Sequence, residues 1–324
     1  MDKKEYYPHI FSRSFLIFFI FMQTHSVLGK KNEYFFRKND PKLCHLDLPK
    51  PMTSEKENLA KKLLDKKLYQ EAIWFLQELK EQKNANYIKD FLYNLMTKED
   101  FANYRRPLKE LGGSTKPILY LMPCDVKVVF KEKSSHPSSN FRSEVASYLI
   151  DNFYHFNMVP MTVFKEVKGK KGSLQYFVDS TTSVLDITHY KKSTKLHIFD
   201  YILANKDRNS NNVLLLNGKE VAIDHGLSLR KHNPIGNNLA FYDKFQKAFH
   251  LKPDPVRSQI TSPRKKPELF RGEEKILAKL RQTDYHTLEN LLSKTLEQKS
   301  IKLLYYKISK LIRYTSEKKS ARSE

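Results

Sequence analysis

The sequence predicts an α+β fold: a small antiparallel sheet, a mainly helical region after it and a helical extension before it. Three observations carry this. Residues 54–101 place apolar side chains at helical spacing. Residues 118–178 hold four apolar runs of strand length around one amphipathic helix. After Asp179 helical spacing returns, interrupted by two short apolar runs joined through Asn217-Gly218.

The N-terminus reads as an export signal. Lys3, Lys4 and Arg13 precede the apolar run Phe15–Met22, which is too short to span a bilayer, and Val27-Leu28-Gly29 offers a small-residue cleavage site. A cleaved signal over 1–29 implies a periplasmic, secreted or secretory-lumen protein. The alternatives are an anchor that stays in the membrane and a buried core segment. Residues 30–50 are polar and contain proline, as a linker does. Ser54 followed by Glu57 is a capping-box signature. Ala60, Leu63 and Leu64, then Ala72, Ile73, Phe75, Leu76 and Leu79, keep helical spacing. The stretch from Leu59 to Glu81 resembles one tetratricopeptide-type hairpin, but no second copy follows, and such arrays need about three repeats. A helical extension packed on the main domain is therefore expected.

The texture changes at Leu111-Gly112-Gly113-Ser114. Two strand-like runs follow, 118–122 and 126–130. Val126, Val128 and Phe130 share one face of the second, and Lys127, Val129 and Lys131 the other. Phe141, Val145, Tyr148, Leu149 and Phe153 form one helical stripe, with Glu144 at its edge, where a carboxylate needs a partner. Runs 161–167 and 173–178 are strand-like, with Gly169–Gly172 as their turn. Residues 196–203 and 273–314 read as helices, 240–251 as apolar-rich, 252–269 as a Pro-rich basic loop and 316–324 as a frayed tail. The chain thus divides into 1–29, 30–105, 106–180 and 181–324.

With 324 residues, about 40% apolar and rich in Phe and Tyr, the chain can bury a substantial core. Its net charge of +22 suits a solvated lysine-rich surface, an anionic membrane surface or an acidic protein. No nucleic-acid-binding motif accompanies that charge, and nucleic acid is not an expected partner. Cys44 and Cys124 lack zinc spacing. In an oxidising compartment they could pair, if their geometry permits.

The chemistry concentrates in Asn205–Gly226. If Asn217-Gly218 is a type I′ turn, Leu216 faces Lys219, Leu215 faces Glu220, Val213 faces Ala222 and Asn211 faces Asp224. Asn212 and Asp224 then lie together at the open end, with Asp207 and Arg208 just upstream. Such oxygen donors suit Mg²⁺ or Mn²⁺ beside phosphates. In order, the chain offers a Gly-rich turn, a strand lysine, a helix glutamate, a D-x-x-x-x-N spacing from Asp207 to Asn212, and Asp224-His225-Gly226. That is a parts list for phosphoryl transfer. The glycine of the last triplet is expected to let the chain turn around the metal ligand.

These pieces carry a family resemblance. Val129-Phe130-Lys131, Phe141–Ile150, Val159–Thr162, Gly172–Gln175, Asp207-Arg208 with Asn212, and Ile223–Gly226 resemble the phosphatidylinositol 3-/4-kinase-like atypical kinases, a branch shared with secretory-pathway and HipA-type kinases. The sequence lacks the G-x-G-x-x-G, H-R-D and A-P-E of ordinary protein kinases. The resemblance implies a two-lobed protein-kinase-like fold that uses ATP. Catalysis would fall to Asp207, Lys131 and Glu144. Gly112, Gly113, Ser114, Lys131, Gln175, Phe177 and Val178 would bind the nucleotide, and Asn212 and Asp224 the metal. Arg208 would brace the catalytic loop or bind a phosphate, and His225 would fill its motif position.

The acceptor expected is a protein or lipid/inositol hydroxyl, and the oligomeric state is left open. Two other functions compete: a pseudokinase acting as a binding module on a helical adaptor, and a membrane-surface scaffold using charge alone.

Overall fold

A computed structural model describes residues 44, 46–98, 107–112, 115–134, 140–179, 182–183, 194–205, 208, 210–229 and 273–320. The export-signal run, the Pro-rich basic loop and residues 240–251 lie outside the described residues. The described residues fall in one compact unit, Asn39–Glu324.

The extension consists of α1 (Ser54–Asp65), α2 (Tyr69–Glu78) and α3 (Gln82–Lys98). Thr53, not Ser54, is the N-cap of α1, and its side chain makes no capping bond. Five strands follow: β1 (Pro107–Glu110), β2 (Ile118–Leu121), β3 (Lys127–Glu132), β4 (Thr162–Val167) and β5 (Lys170–Tyr176). They form an antiparallel sheet of order β1-β2-β3-β5-β4. Helix α4 (Phe141–Tyr154) separates β3 from β4, and Asn140 caps it by accepting from the Arg142 amide. Strand β1 was not anticipated: all four of its residues are exposed, so it carries no alternation to read. The GKKG turn shrinks to Lys168-Gly169, both at positive φ, and Lys170–Gly172 join β5. Gly172 is needed there for space. A Cβ on it would sit 2.2 Å from the Lys131 carbonyl and 2.7 Å from the Phe130 ring.

The register sorts the sheet into two faces. Val128, Phe130, Val163, Leu174 and Tyr176 share one, and all are buried. The extension covers that face. The Tyr176 hydroxyl donates to the Lys67 carbonyl and to Glu71 Oε2, the Met161 amide donates to Gln70, and Lys165 Nζ donates to the Thr97 carbonyl. Buried Asn84 bonds both the amide and the carbonyl of Lys50, and a Cys44–Cys124 disulfide joins the segment before α1 to the β2–β3 turn. Its Cα atoms stand 5.2 Å apart, ordinary disulfide spacing. Val129, Lys131, Ser173, Gln175 and Thr162 share the opposite face.

The second lobe holds α5 (Thr194–Ile202), a small sheet of β6 (Thr182–Ser183), β7 (Val213–Leu216) and β8 (Lys219–Ala222), and helices α6 (Glu274–Arg281), α7 (Tyr285–Leu292) and α8 (Gln298–Ser320). The hairpin register matches expectation, with Leu216 opposite Lys219 and Val213 opposite Ala222. Asn217 and Gly218 take φ of 50° and 80°, as a type I′ turn requires. The ladder ends before Asn211, which sits in a 3-10 turn over Ser210–Asn212. The tail expected to fray from Ser316 stays helical to Ser320: Glu317, Lys318 and Lys319 are good helix formers, and lysines suit a helix C-terminus. The two-residue β6 is too short to leave a sequence signal.

Candidate active site

Lys131 stands at the centre. The strand's two-residue period turns it to the face opposite the extension, and α4 lifts Glu144 to meet it. Lys131 Nζ lies 2.6 Å from Glu144 Oε1 and 2.9 Å from Asp224 Oδ1, so one ammonium bridges the lobes. Burial alone would lower the pKa of Lys131, but the two carboxylates outweigh it and push it up to about 12. Burial raises Asp224, yet Lys131 prevails and holds its carboxyl below the usual range. Glu144 is 2% exposed, and burial drives its pKa up against the pull of Lys131. Its second oxygen accepts from the His225 amide at 2.9 Å. One glutamate therefore holds both the strand lysine and the segment bearing Asp224.

Asp224 takes φ of 56°, so the turn expected to rely on the glycine of its triplet has its left-handed residue at the aspartate instead. This is uncommon for a non-glycine residue and persists only where the surroundings over-determine it. Here they do. Arg208 and Asp200 form an ion pair with side chains 1% and 0% exposed. Arg208 Nε donates to both Asp200 oxygens and Nη2 to Oδ1. Nη1 donates to the carbonyls of Asn212 and Ile223, and Nη2 also meets His225 Nε2 at 2.9 Å. One guanidinium thus ties α5, the 3-10 turn and the two residues flanking Asp224. All five of its N–H groups have protein partners, which decides for bracing and against phosphate binding.

His225 is fully buried and its pKa lies well below the usual histidine value, because of burial and then Arg208. Since Nε2 accepts from Arg208, the ring proton sits on Nδ1, 3.8 Å from Glu144 Oε2. The Ser143 hydroxyl donates to the Ser228 carbonyl and Ser300 donates to the Leu229 carbonyl, which pins the following segment to both lobes.

A family model, phosphatidylinositol 3- and 4-kinase, matches residues 60–304. The chain belongs to the phosphatidylinositol 3- and 4-kinase family. It is a kinase with the two-lobed kinase fold. Among solved structures it is similar to the Helicobacter pylori proinflammatory kinase CtkA, at 14% identity over 63% of this chain and 90% of that one, TM-score 0.38. It is also similar to the Golgi casein kinase, at 14% identity over 74% and 78%, TM-score 0.41. The Golgi casein kinase with Mn/ADP bound is 15% identical over 70% and 75%, TM-score 0.41. No curated protein sequence matches the chain.

The candidate residues of this family member are placed unevenly. Lys131, Glu144 and Asp224 meet directly. Asn212 is buried at the open end of the hairpin, its carbonyl accepting from Ile223 and Arg208. Gln175 lies on the face of Lys131 and donates to Thr162. The Phe177 amide donates to the Lys127 carbonyl, so it is already committed; Val178 is buried beside it. Gly112 is in the β1–β2 connection with open space around it. Gly113, Ser114 and Asp207 lie outside the described residues, although Asn205 and Arg208, which bracket Asp207, are both held by Asp200. Sequence reasoning missed Asp200 and treated His225 as filler. The one available signal was an aspartate in the middle of the apolar run Leu196–Leu203.

Proposed function

We propose that the chain transfers the γ-phosphate of ATP to a hydroxyl of a protein or an inositol lipid. The observation that carries this is the single ammonium of Lys131 held between Glu144 and Asp224 across the lobes. Lys131 neutralises phosphate charge and Glu144 keeps it in place. Asp207 orients the acceptor hydroxyl. Gly112, Gly113 and Ser114 cover the nucleotide, and Gln175, Phe177 and Val178 line the adenine. Phe177-Val178, directly after β5, is the hinge between the lobes; the Phe177 amide being occupied, its hydrogen bond to adenine falls to Val178.

Asn212 and Asp224 fit a hard divalent cation, Mg²⁺ or Mn²⁺. They offer an amide and a carboxylate, and the Asp224 side chain is 42% exposed, open to a ligand. The cation would neutralise charge on the phosphates. Arg208 and Asp200 hold the backbone on both sides of these donors.

The disulfide supports the exported reading, because such bonds persist in oxidising compartments. Transfer there requires a compartment that contains ATP. The net charge of +22 suits an anionic acceptor or membrane surface.

The test incubates the purified protein with labelled ATP, Mg²⁺ or Mn²⁺, a lipid panel and a peptide library, beside Asp224→Ala. Label transfer by wild type and its loss in the variant are expected. The acceptor that takes label separates lipid from protein. Nucleotide binding with no transfer to any acceptor would instead establish the pseudokinase reading.

A further inference from the structure

Helix α2 touches two parts of the molecule whose relative position matters to transfer. Near its start, Gln70 accepts from the Met161 amide at 2.8 Å and Glu71 accepts from the Tyr176 hydroxyl at 3.3 Å. Tyr176 ends β5, the strand that leads into the hinge. One turn on, Trp74 is 3% exposed and lies beneath the Lys219 ammonium, 5.0 Å from ring centroid to nitrogen. A further turn on, Glu78 pairs with the same ammonium at 2.5 Å. Lys219 opens β8 directly after the Asn217-Gly218 turn.

The geometry has a consequence. Ten helical residues span about 15 Å. One end of that rod is bonded to the hinge strand, the other to the tip of the hairpin whose open end carries Asn212 and Asp224. The hairpin is held at its open end as well, where Ala222, opposite Val213, donates its amide to the Met158 carbonyl at 3.0 Å. A lysine beside an Asn-Gly turn would ordinarily be solvated. This one is 24% exposed at its side chain and rests on the only tryptophan of the chain. Burial lowers its pKa, with Glu78 opposing, so the ammonium depends on its two partners for what water no longer supplies.

We propose that Lys219 is a positioning residue for phosphotransfer: clamped between Trp74 and Glu78, it makes α2 a strut that sets the tilt of the β7–β8 hairpin relative to the hinge. The proposal rests on the metal-binding roles given to Asn212 and Asp224 under the proposed function. Lys219 touches neither nucleotide nor acceptor. It acts through a two-strand ribbon about 13 Å long, whose tip it fixes. Ala222 and Arg208 anchor the open end, so a freed tip lets the ribbon pivot about those anchors and turn the donors, and small misplacements of reacting groups are costly in rate.

The experiment compares the full chain with Lys219→Ala, Lys219→Arg and Asp224→Ala, reading kcat, KM for ATP, and Trp74 emission with and without Mn²⁺ and ADP. Wild-type emission should change when Mn²⁺ and ADP bind, although Trp74 lies at the far end of the hairpin. Lys219→Ala should lose most of that response. Its kcat should fall about five- to tenfold while KM for ATP stays within about twofold, the pattern of an interaction that matters in the transition state. Lys219→Arg should restore both, since a guanidinium can stack on Trp74 and pair with Glu78. If Lys219→Ala does not fold, Lys219→Met, which keeps the aliphatic stem, carries the same expectation. Wild-type kcat and emission response in Lys219→Ala, or a loss that Lys219→Arg leaves unrepaired, would overturn the strut while transfer remains sensitive to Asp224→Ala. No transfer by wild type, with the emission response unchanged in Asp224→Ala, would overturn the proposed function and the strut together.

Discussion

The lobe-bridging charge centre and the seam under the helical extension are both buried, yet they treat charge in opposite ways. In the centre, Lys131, Glu144, Asp224, Asp200 and Arg208 each lie within 3.2 Å of an opposite charge. In the seam, Glu71 and Asp151 have hydroxyl or amide partners instead: Glu71 bonds Tyr176, and Asp151 accepts from the Met158 and Val159 amides. Burial pushes both carboxyl groups up to about 7. Desolvation pushes carboxyl groups up in both regions, Glu144 included, and in the centre Lys131 opposes it strongly enough to hold Asp224 below the usual range. The kinase centre needs fixed charge to act on phosphates. The seam only needs to bury apolar surface, and it tolerates groups that shed charge near neutral pH.

Four measurements would break or sharpen this contrast. The largest effect is expected in the centre. Asp224→Ala should lower transfer by at least about 10²-fold, as loss of an electrostatic stabiliser does. Its melting temperature should fall modestly: Lys131 keeps Glu144 as a partner, but it loses its second carboxylate, and alanine is strained at φ of 56°. Next, Asp200→Ala strands the Arg208 guanidinium and should cost about 3–5 kcal/mol in urea unfolding, with activity falling as well. At the seam's outer end, reducing the Cys44–Cys124 bond, which spans 80 residues, should cost about 4 kcal/mol of stability in the same assay without abolishing transfer. Equal losses of activity from reduction and from Asp200→Ala would erase the contrast.

The smallest effect is in pH dependence. Glu71 and Asp151 have folded values near 7, above the unfolded values of 4.5 and 3.8, so the folded state binds more protons. The stability they contribute is fully present below their unfolded values and is lost as pH rises through about 7. Each group should contribute about 1 kcal/mol of loss between about pH 6 and pH 8. Thermal melts of Glu71→Gln should show a flatter slope over that window. A wild-type slope in both Glu71→Gln and Asp151→Asn would show that the seam keeps its charge as the centre does.

Gly172 lies where the two regions meet, behind Lys131 and against the Phe130 ring. Alanine there must displace the β3 backbone, a cost of about 1–3 kcal/mol by the usual price of overpacking. Both stability and transfer should fall, checked by melting and by label transfer on one preparation.

Much of the architecture was legible because it obeys short periods. Two-residue alternation set Lys131 against Val128 and Phe130, and the Asn-Gly pair set the hairpin register through its demand for positive φ. Helical spacing put Glu144 beside apolar positions and so in need of a partner, although the structure buries it at 2% exposure, not at an edge, and leaves Phe141, Leu149 and Phe153 of the expected stripe half-buried. These are properties of neighbouring residues, and the sequence by itself determined them. The tertiary structure alone decided which distant groups meet. It paired Cys44 with Cys124, set Asp200 and His225 around Arg208, put the left-handed backbone of the Asp224-His225-Gly226 turn on Asp224, and seated Trp74 beneath Lys219. None of these has a local period. Each is fixed by which surfaces the packed elements bury, and by the cost of burying a polar group without a partner.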